Sequence, residues 1–244
     1  MPVLYPFTSF LNHHFAGVAN AVLGAVHVHP QYPNAPIDNS FAMEVLVFAA
    51  LILFFILVRA TLNVEKPGAI QMSAEWIHEF VEGQAESIIG HGYERFVPYC
   101  TSVLLFVLLS NLLGLVPQFM SPTAKPWVPL GIAVPTFLYY NYWGVRSQGV
   151  LGYAKHFAGP IWWIAPLMVP IEIISHLARV LSLTVRLYAN MFAGDMVVLV
   201  FFSLVPIGVP VVFNGLHLFV SLIQAYVFML LAMIYLAQAT AHDH

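Results

Sequence analysis

The apolar positions of this chain gather into long runs rather than the short alternating pattern of a protein that lives in water. Residues 41–60 form the first strong run. Since ~20 apolar residues cross a bilayer as a helix, this run predicts a first membrane helix. Residues 97–117 and 127–145 are two more, joined by a turn-rich stretch up to Pro126, and together predict a helical hairpin. The last two runs, 161–205 and 208–241, are much longer and are parted only by a break containing Pro206, Gly208 and Pro210. Their most apolar parts, 170–205 and 210–241, hold no proline after the first residue, and at ~1.5 Å per residue each would measure roughly 50 Å against a hydrocarbon core of ~30 Å, so two unbroken helices here must tilt steeply and pack as a pair. Gly194 and Gly215 leave room for bending.

Two segments depart from this pattern. Over residues 73–89, Glu75, Glu79, Glu82 and Glu86 recur at helical spacing opposite Trp76, Ile77, Phe80, Val81 and Ile88. That is an amphipathic helix suited to the membrane surface, and a solvated acidic face is its simplest account. Residues 1–40 form a mildly apolar arm that ends in the proline-rich stretch PQYPNAPI. Its start lacks the basic opening and cleavage site of a secretory signal and reads as part of the mature protein. Its histidines, His13, His14, His27 and His29, show no ligand spacing on one element, so no metal site is expected. The predicted fold class is an all-α integral membrane protein, a single membrane domain over 1–244 with about five embedded helices and one surface helix.

Composition sharpens this picture. Hydrophobic residues make up 60% of the chain and charged residues 8%, against roughly 25% charged in globular domains. With a net charge of −3 and no basic cluster, nucleic acid is excluded as a partner. Arg59, Lys66 and Arg95 flank one link and Arg146 and Lys155 another, with Lys125 alone on the opposite side. By the positive-inside rule the N-terminus is outside and the C-terminus cytoplasmic. The single cysteine, Cys100, allows no internal disulfide and reads as a small buried side chain.

The chemistry concentrates in the last two runs. A charge at the centre of a membrane helix costs on the order of 3 kcal/mol or more, so each needs a partner, water or a task. The first of the two carries Glu172, His176, Arg179, Arg186 and Asp195. On a helical wheel Glu172, His176, Arg179, Arg186 and Asn190 share a stripe of roughly 80°, while Asp195 points the other way. Asn214, His217, Ser221 and Gln224 step along one side of the second helix. An acid on one helix, a histidine and a glutamine on its neighbour, and an arginine turned away describe a buried proton path ending beside a fixed positive charge. Blander accounts remain open: Asp195 and His217 as a structural pair, Asn190 and Gln224 as interhelical glue, and Glu172, His176 and Arg179 snorkelling to the interface.

The stretches PIEIISHLARVL (170–181) and SLTVRLYANMFAGD (182–195) resemble the signature of subunit a of F-type ATP synthases. NLLGLVP (111–117), SPTA (121–124) and LIQAYVFMLLAMIYL (222–236) match further blocks of that family in the right order. The resemblance runs from about residue 98 to the C-terminus. It implies that Arg186 is the arginine facing a ring of c subunits. It also implies that Asn190, Asp195, His217 and Gln224 belong to the outer channel, and Glu172, Ser175, His176 and Ser182 to the inner half-channel. It departs from the commonest pattern at Asp195, Ala189 and Val180, where glutamate, glycine and proline are frequent.

The function so implied is that of a stator subunit that translocates protons through two offset half-channels, in the inner membrane of a bacterium. Its partners would be the c-ring, the peripheral-stalk b subunits and the lipid bilayer. No cofactor is expected, and no nucleotide, because the chain has no phosphate-cradling glycine motif; it would not be a catalyst by itself. A secondary transporter would need a midplane substrate site and usually an internal repeat, and no two parts of the chain look alike. A haem protein is suggested by eleven histidines, yet only His176 and His217 lie within the long runs.

Overall fold

The computed structural model describes residues 4–25, 32–63, 66–116, 119–158, 165–205 and 208–240, and within them the long apolar runs are helical. The helices are α1 (Pro6–Ala25), α2 (Asn39–Ala60), α3 (Ala69–Ile89), α4 (Val97–Leu113), α5 (Trp127–Ala158), α6 (Ala165–Leu204) and α7 (Val209–Thr240). Two single 3₁₀ turns, Tyr93–Arg95 and Pro122–Ala124, precede α4 and α5, and there is no strand among the described residues. Helix is the form expected in lipid, because it satisfies its own backbone polar groups. Among the described residues three helices are long and apolar enough to cross a membrane: α2, α6 from Pro166 onward, and α7. The protein is thus all-α and of the membrane class.

In lipid the hydrophobic effect does not drive helices together, so close packing and interhelical hydrogen bonds must. On α7 the small residues Ala225, Ala232 and Ala239 recur every seventh position and are all buried, which lets neighbouring backbones approach. Around this seam the core gathers Val103 and Val107 of α4, Tyr140 of α5, Leu187 and Met191 of α6, and Phe228, Met229 and Met233 of α7.

Polar groups fix the α4–α5 connection against α7. Thr123 Oγ1 donates to Asn111 Oδ1 at 2.7 Å, and Asn111 Nδ2 donates to the Ser221 carbonyl at 3.4 Å. Ser121 Oγ donates to the Ser110 carbonyl at 3.2 Å. This return path requires Gly114, where a Cβ would stand 3.0 Å from the Ser121 backbone nitrogen. Two of the motif blocks, NLLGLVP and SPTA, therefore meet at one buried junction.

The described part of the N-terminal arm is the helix α1 with the two residues before it, and the stretch 32–40 that leads into α2. Asn12 ties it to the segment before α2, donating from Nδ2 to the Ile37 carbonyl and accepting from Ile37 N–H, both at 3.0 Å. Tyr5 N–H donates to Asn39 Oδ1. His13 and His14 are exposed, whereas His27 and His29 lie outside the described residues. No group of three or more histidine, cysteine, aspartate or glutamate side chains is arranged to hold a metal among the described residues.

Three features differ from the sequence reading. The polar stretch around Arg146, read as a link, continues α5 as far as Ala158, with one non-helical residue at Gly149 (φ 73°). Next, α6 begins before Pro170 and carries that proline inside it. Finally, the apolar side of α3 divides. Val81 and Ala85 are buried, while Trp76 and Phe80 stack on each other and are exposed. An aromatic pair facing outward beside an acidic face suits the headgroup region. With 40 residues in α6 and 32 in α7, their lengths come to about 60 and 48 Å at ~1.5 Å per residue.

Candidate functional site

The polar residues of α6 do not share one environment, although the wheel puts them on one stripe. At the N-terminal end, α5 covers the helix and His176 is buried. Its Nδ1 lies 2.8 Å from the Tyr140 hydroxyl, and its Nε2 lies 3.3 Å from Glu172 Oε1, one turn earlier. The Tyr140 and His176 rings stack at 5.7 Å. Arg179, one turn on, rests its guanidinium 5.2 Å above the Tyr235 ring, a favourable use of a cation in an apolar setting. Ser175 is half-buried and Ser182 exposed.

Further along, α6 turns an open face outward. Arg186 and Asn190 are exposed there, among exposed Leu181 and Val185. Arg186 has no hydrogen-bond or ion-pair partner among the described residues. A permanent cation on an apolar helix surface is costly in lipid and calls for an anion from elsewhere. Asn190 Nδ2 donates to Gln224 Oε1 on α7 at 2.9 Å. The Gln224 amide nitrogen is buried without a hydrogen-bond partner among the described residues.

The next meeting of α6 with α7 joins Asp195 and His217. Their closest atoms, Oδ1 and Nδ1, are 3.6 Å apart, and the imidazole is buried while the carboxylate is about a third exposed. This is contact range for an ion pair but long for a hydrogen bond, a separation that water bridges readily. Gly194 makes the approach possible: a Cβ there would stand 2.7 Å from His217 Nδ1. The glycine read as a point of bending is a point of contact.

Two cavities adjoin this pair. A cleft of about 670 Å³ is lined by Asp195, Asn214 and His217, by Gly114 and Met120 from the α4–α5 connection, and by Tyr5 of the N-terminal arm. A second, of about 320 Å³, lies toward Asn190 and is lined by Ala193, Gly194 and Val197 together with His217. His217 borders both, and its Nε2 is buried without a partner among the described residues. A polar group so placed fits contact with water or a passing proton donor. The arrangement can hand a proton from an acid at an open cleft to a histidine, and from there toward an amide pair beside an arginine.

Structure thus brings together Asp195 with His217, Asn190 with Gln224, and Glu172 with His176. Arg186 it leaves facing out, with Ser182 likewise exposed. Sequence reasoning missed Tyr140 and Tyr5. Nothing near them in sequence marks them, since Tyr140 meets His176 across 36 positions.

Comparison with known proteins finds relatives along the whole chain. A family model described as ATP synthase A chain matches residues 41–237. The ATP synthase subunit a of Koribacter versatilis is 56% identical over 244 residues, the whole of both chains. That of Solibacter usitatus is 46% identical over 233 residues, covering 96% of this chain and 99% of the relative. Bdellovibrio bacteriovorus has a subunit a 46% identical over 171 residues, covering 70% of this chain and 74% of its own.

Proposed function

The chain belongs to the ATP synthase A chain family, and from that premise we propose how its own residues move protons. It is the proton-translocating membrane subunit of the stator of an F-type ATP synthase. Protons reach the outer cleft, pass from Asp195 to His217, and arrive beside Asn190 and Gln224 next to Arg186. Carboxylate and imidazole suit this route because both change protonation state, whereas guanidinium does not.

Opposite Arg186 stands a carboxylate on the ring of c subunits. At a separation of about 4 Å and an effective dielectric of about 20, the attraction is roughly 4 kcal/mol. That is enough to favour the charged carboxylate at this one position. The cation also bars a direct path between the two halves. On the other side Glu172, Ser175, His176 and Ser182 form the inner half-channel, and rotation of the ring links the halves.

The subunit does no nucleotide chemistry of its own and is held by the peripheral-stalk b subunits. It lies in the bacterial inner membrane, with Arg59, Arg95 and Arg146 marking the cytoplasmic side. The N-terminus is then outside and the C-terminus inside.

The observation that carries this reading is the exposed Arg186, unpartnered among the described residues, on the helix that also bears the Asp195–His217 contact and its cleft. Purification in mild detergent tests it. The chain should come with a ring of small hydrophobic subunits, and the reconstituted assembly should pump protons on ATP hydrolysis. A folded chain that purifies alone and carries a solute across vesicles would support a secondary transporter instead.

A further inference from the structure

Among the described residues Tyr140 is the one fully buried tyrosine, at 1% exposure, and its hydroxyl meets His176 Nδ1 at 2.8 Å. The other ring nitrogen of His176 faces Glu172 Oε1 at 3.3 Å. While Glu172 is ionised it offers only lone pairs, so this face of the ring then presents an N–H. Neutral imidazole carries a single N–H, which leaves Nδ1 as the acceptor of the Tyr140 O–H. When the ring is protonated, the phenol oxygen accepts from Nδ1–H instead. A hydroxyl can serve both states by rotating, which no apolar side chain at 140 could do.

We infer that Tyr140 is a positioning residue of the inner half-channel, holding His176 with Nε2 toward Glu172 so that the imidazolium can pass its Nε2 proton to the carboxylate while the phenol oxygen keeps the Nδ1 proton on the neutral ring that remains. This deepens the function proposed above and rests on it. Packing supports the assignment. The Tyr140 and His176 rings are nearly parallel, with an interplanar angle of 21°, and Phe137 meets the same imidazole edge-on at 6.1 Å. The ring therefore packs against two α5 aromatics, and the hydroxyl contact selects which nitrogen turns toward Glu172. Among the described residues, the other ionisable groups placed at this cluster are Arg179 of α6 and Tyr235 of α7. They engage each other, the guanidinium lying 5.2 Å over the ring, and Tyr235 also packs on Tyr140. Positive charge is thus held one turn from His176, on the side away from Glu172.

The test uses the assembled ATP synthase in membrane vesicles, with rates normalised to the complex present. Tyr140→Phe keeps the ring and removes only the hydroxyl. Losing one hydrogen bond to the relay should slow proton-driven ATP synthesis roughly three- to tenfold. The rate profile against inner pH should move by about half a unit or more. The profile against outer pH should stay in place, which a general packing defect would not achieve. In a His176→Gln background, Tyr140→Phe should cost much less than in the parent, because its target is gone. An inner-pH profile that does not move, or an equal loss with and without His176, overturns the assignment. Arg186→Ala, run alongside, separates the two levels: if it abolishes synthesis while Tyr140→Phe does nothing, this inference alone fails.

Discussion

A methyl group on Gly194 would lie 2.7 Å from Nδ1 of His217. The absent side chain lets the imidazole pass close to α6 and reach Asp195 at 3.6 Å. Gly194→Ala should therefore push His217 off this position. Overpacking of this kind costs about 1–3 kcal/mol where the neighbour cannot give way. His217 has the open cleft to move into, so the cost should fall on function more than on stability. The expected outcome is normal insertion with a loss of about tenfold or more in proton-driven ATP synthesis, measured in vesicles per assembled complex. Normal synthesis by this variant would show that the Asp195–His217 spacing is not critical.

The cleft beside this pair predicts water access from the outer side. Asp195→Cys and His217→Cys should each react with a small, membrane-impermeant thiol reagent added outside. Native Cys100 is buried on α4 and should stay silent. Mass shifts of the labelled chain would check this. Thiols unreactive at both positions would favour a sealed structural pair.

The junction of Asn111 and Thr123 makes a prediction about stability. Thr123→Val keeps the shape but removes the hydroxyl, leaving Asn111 Oδ1 buried without its 2.7 Å donor. The cost should be about 1–3 kcal/mol, read as a lowered unfolding midpoint in detergent. An unchanged midpoint would mean that water or another donor satisfies Asn111.

Much of this geometry was legible in the sequence because helical period alone dictates which side chains share a face. His217, Ser221 and Gln224 of α7 are buried together, as a stripe at that spacing should be when one neighbour covers it. The same logic weakened on α6, where the stripe from Glu172 to Asn190 is buried under α5 at one end and bare at the other. Periodicity tells which residues share a face and is silent on what covers it. It also grouped Trp76 and Phe80 with Val81, although only Val81 is buried. The partnership of Tyr140 with His176 and the contact of Gly194 with His217 depend on how separate helices cross. No local pattern records that.

The central claim is that Arg186 meets a carboxylate of another chain and separates two half-channels. Arg186→Ala tests it most directly, because the residue lies on an exposed face and alanine suits a helix, so insertion and assembly should survive. Arg186→Lys should also fail or be severely impaired, since lysine lacks the planar fork and can lose its proton when buried. The measurement is ATP synthesis in membrane vesicles under an imposed proton gradient, normalised to assembled complex. The account predicts that synthesis is abolished in the alanine variant, with passive proton leakage unchanged or raised; near-normal synthesis by that variant would contradict it.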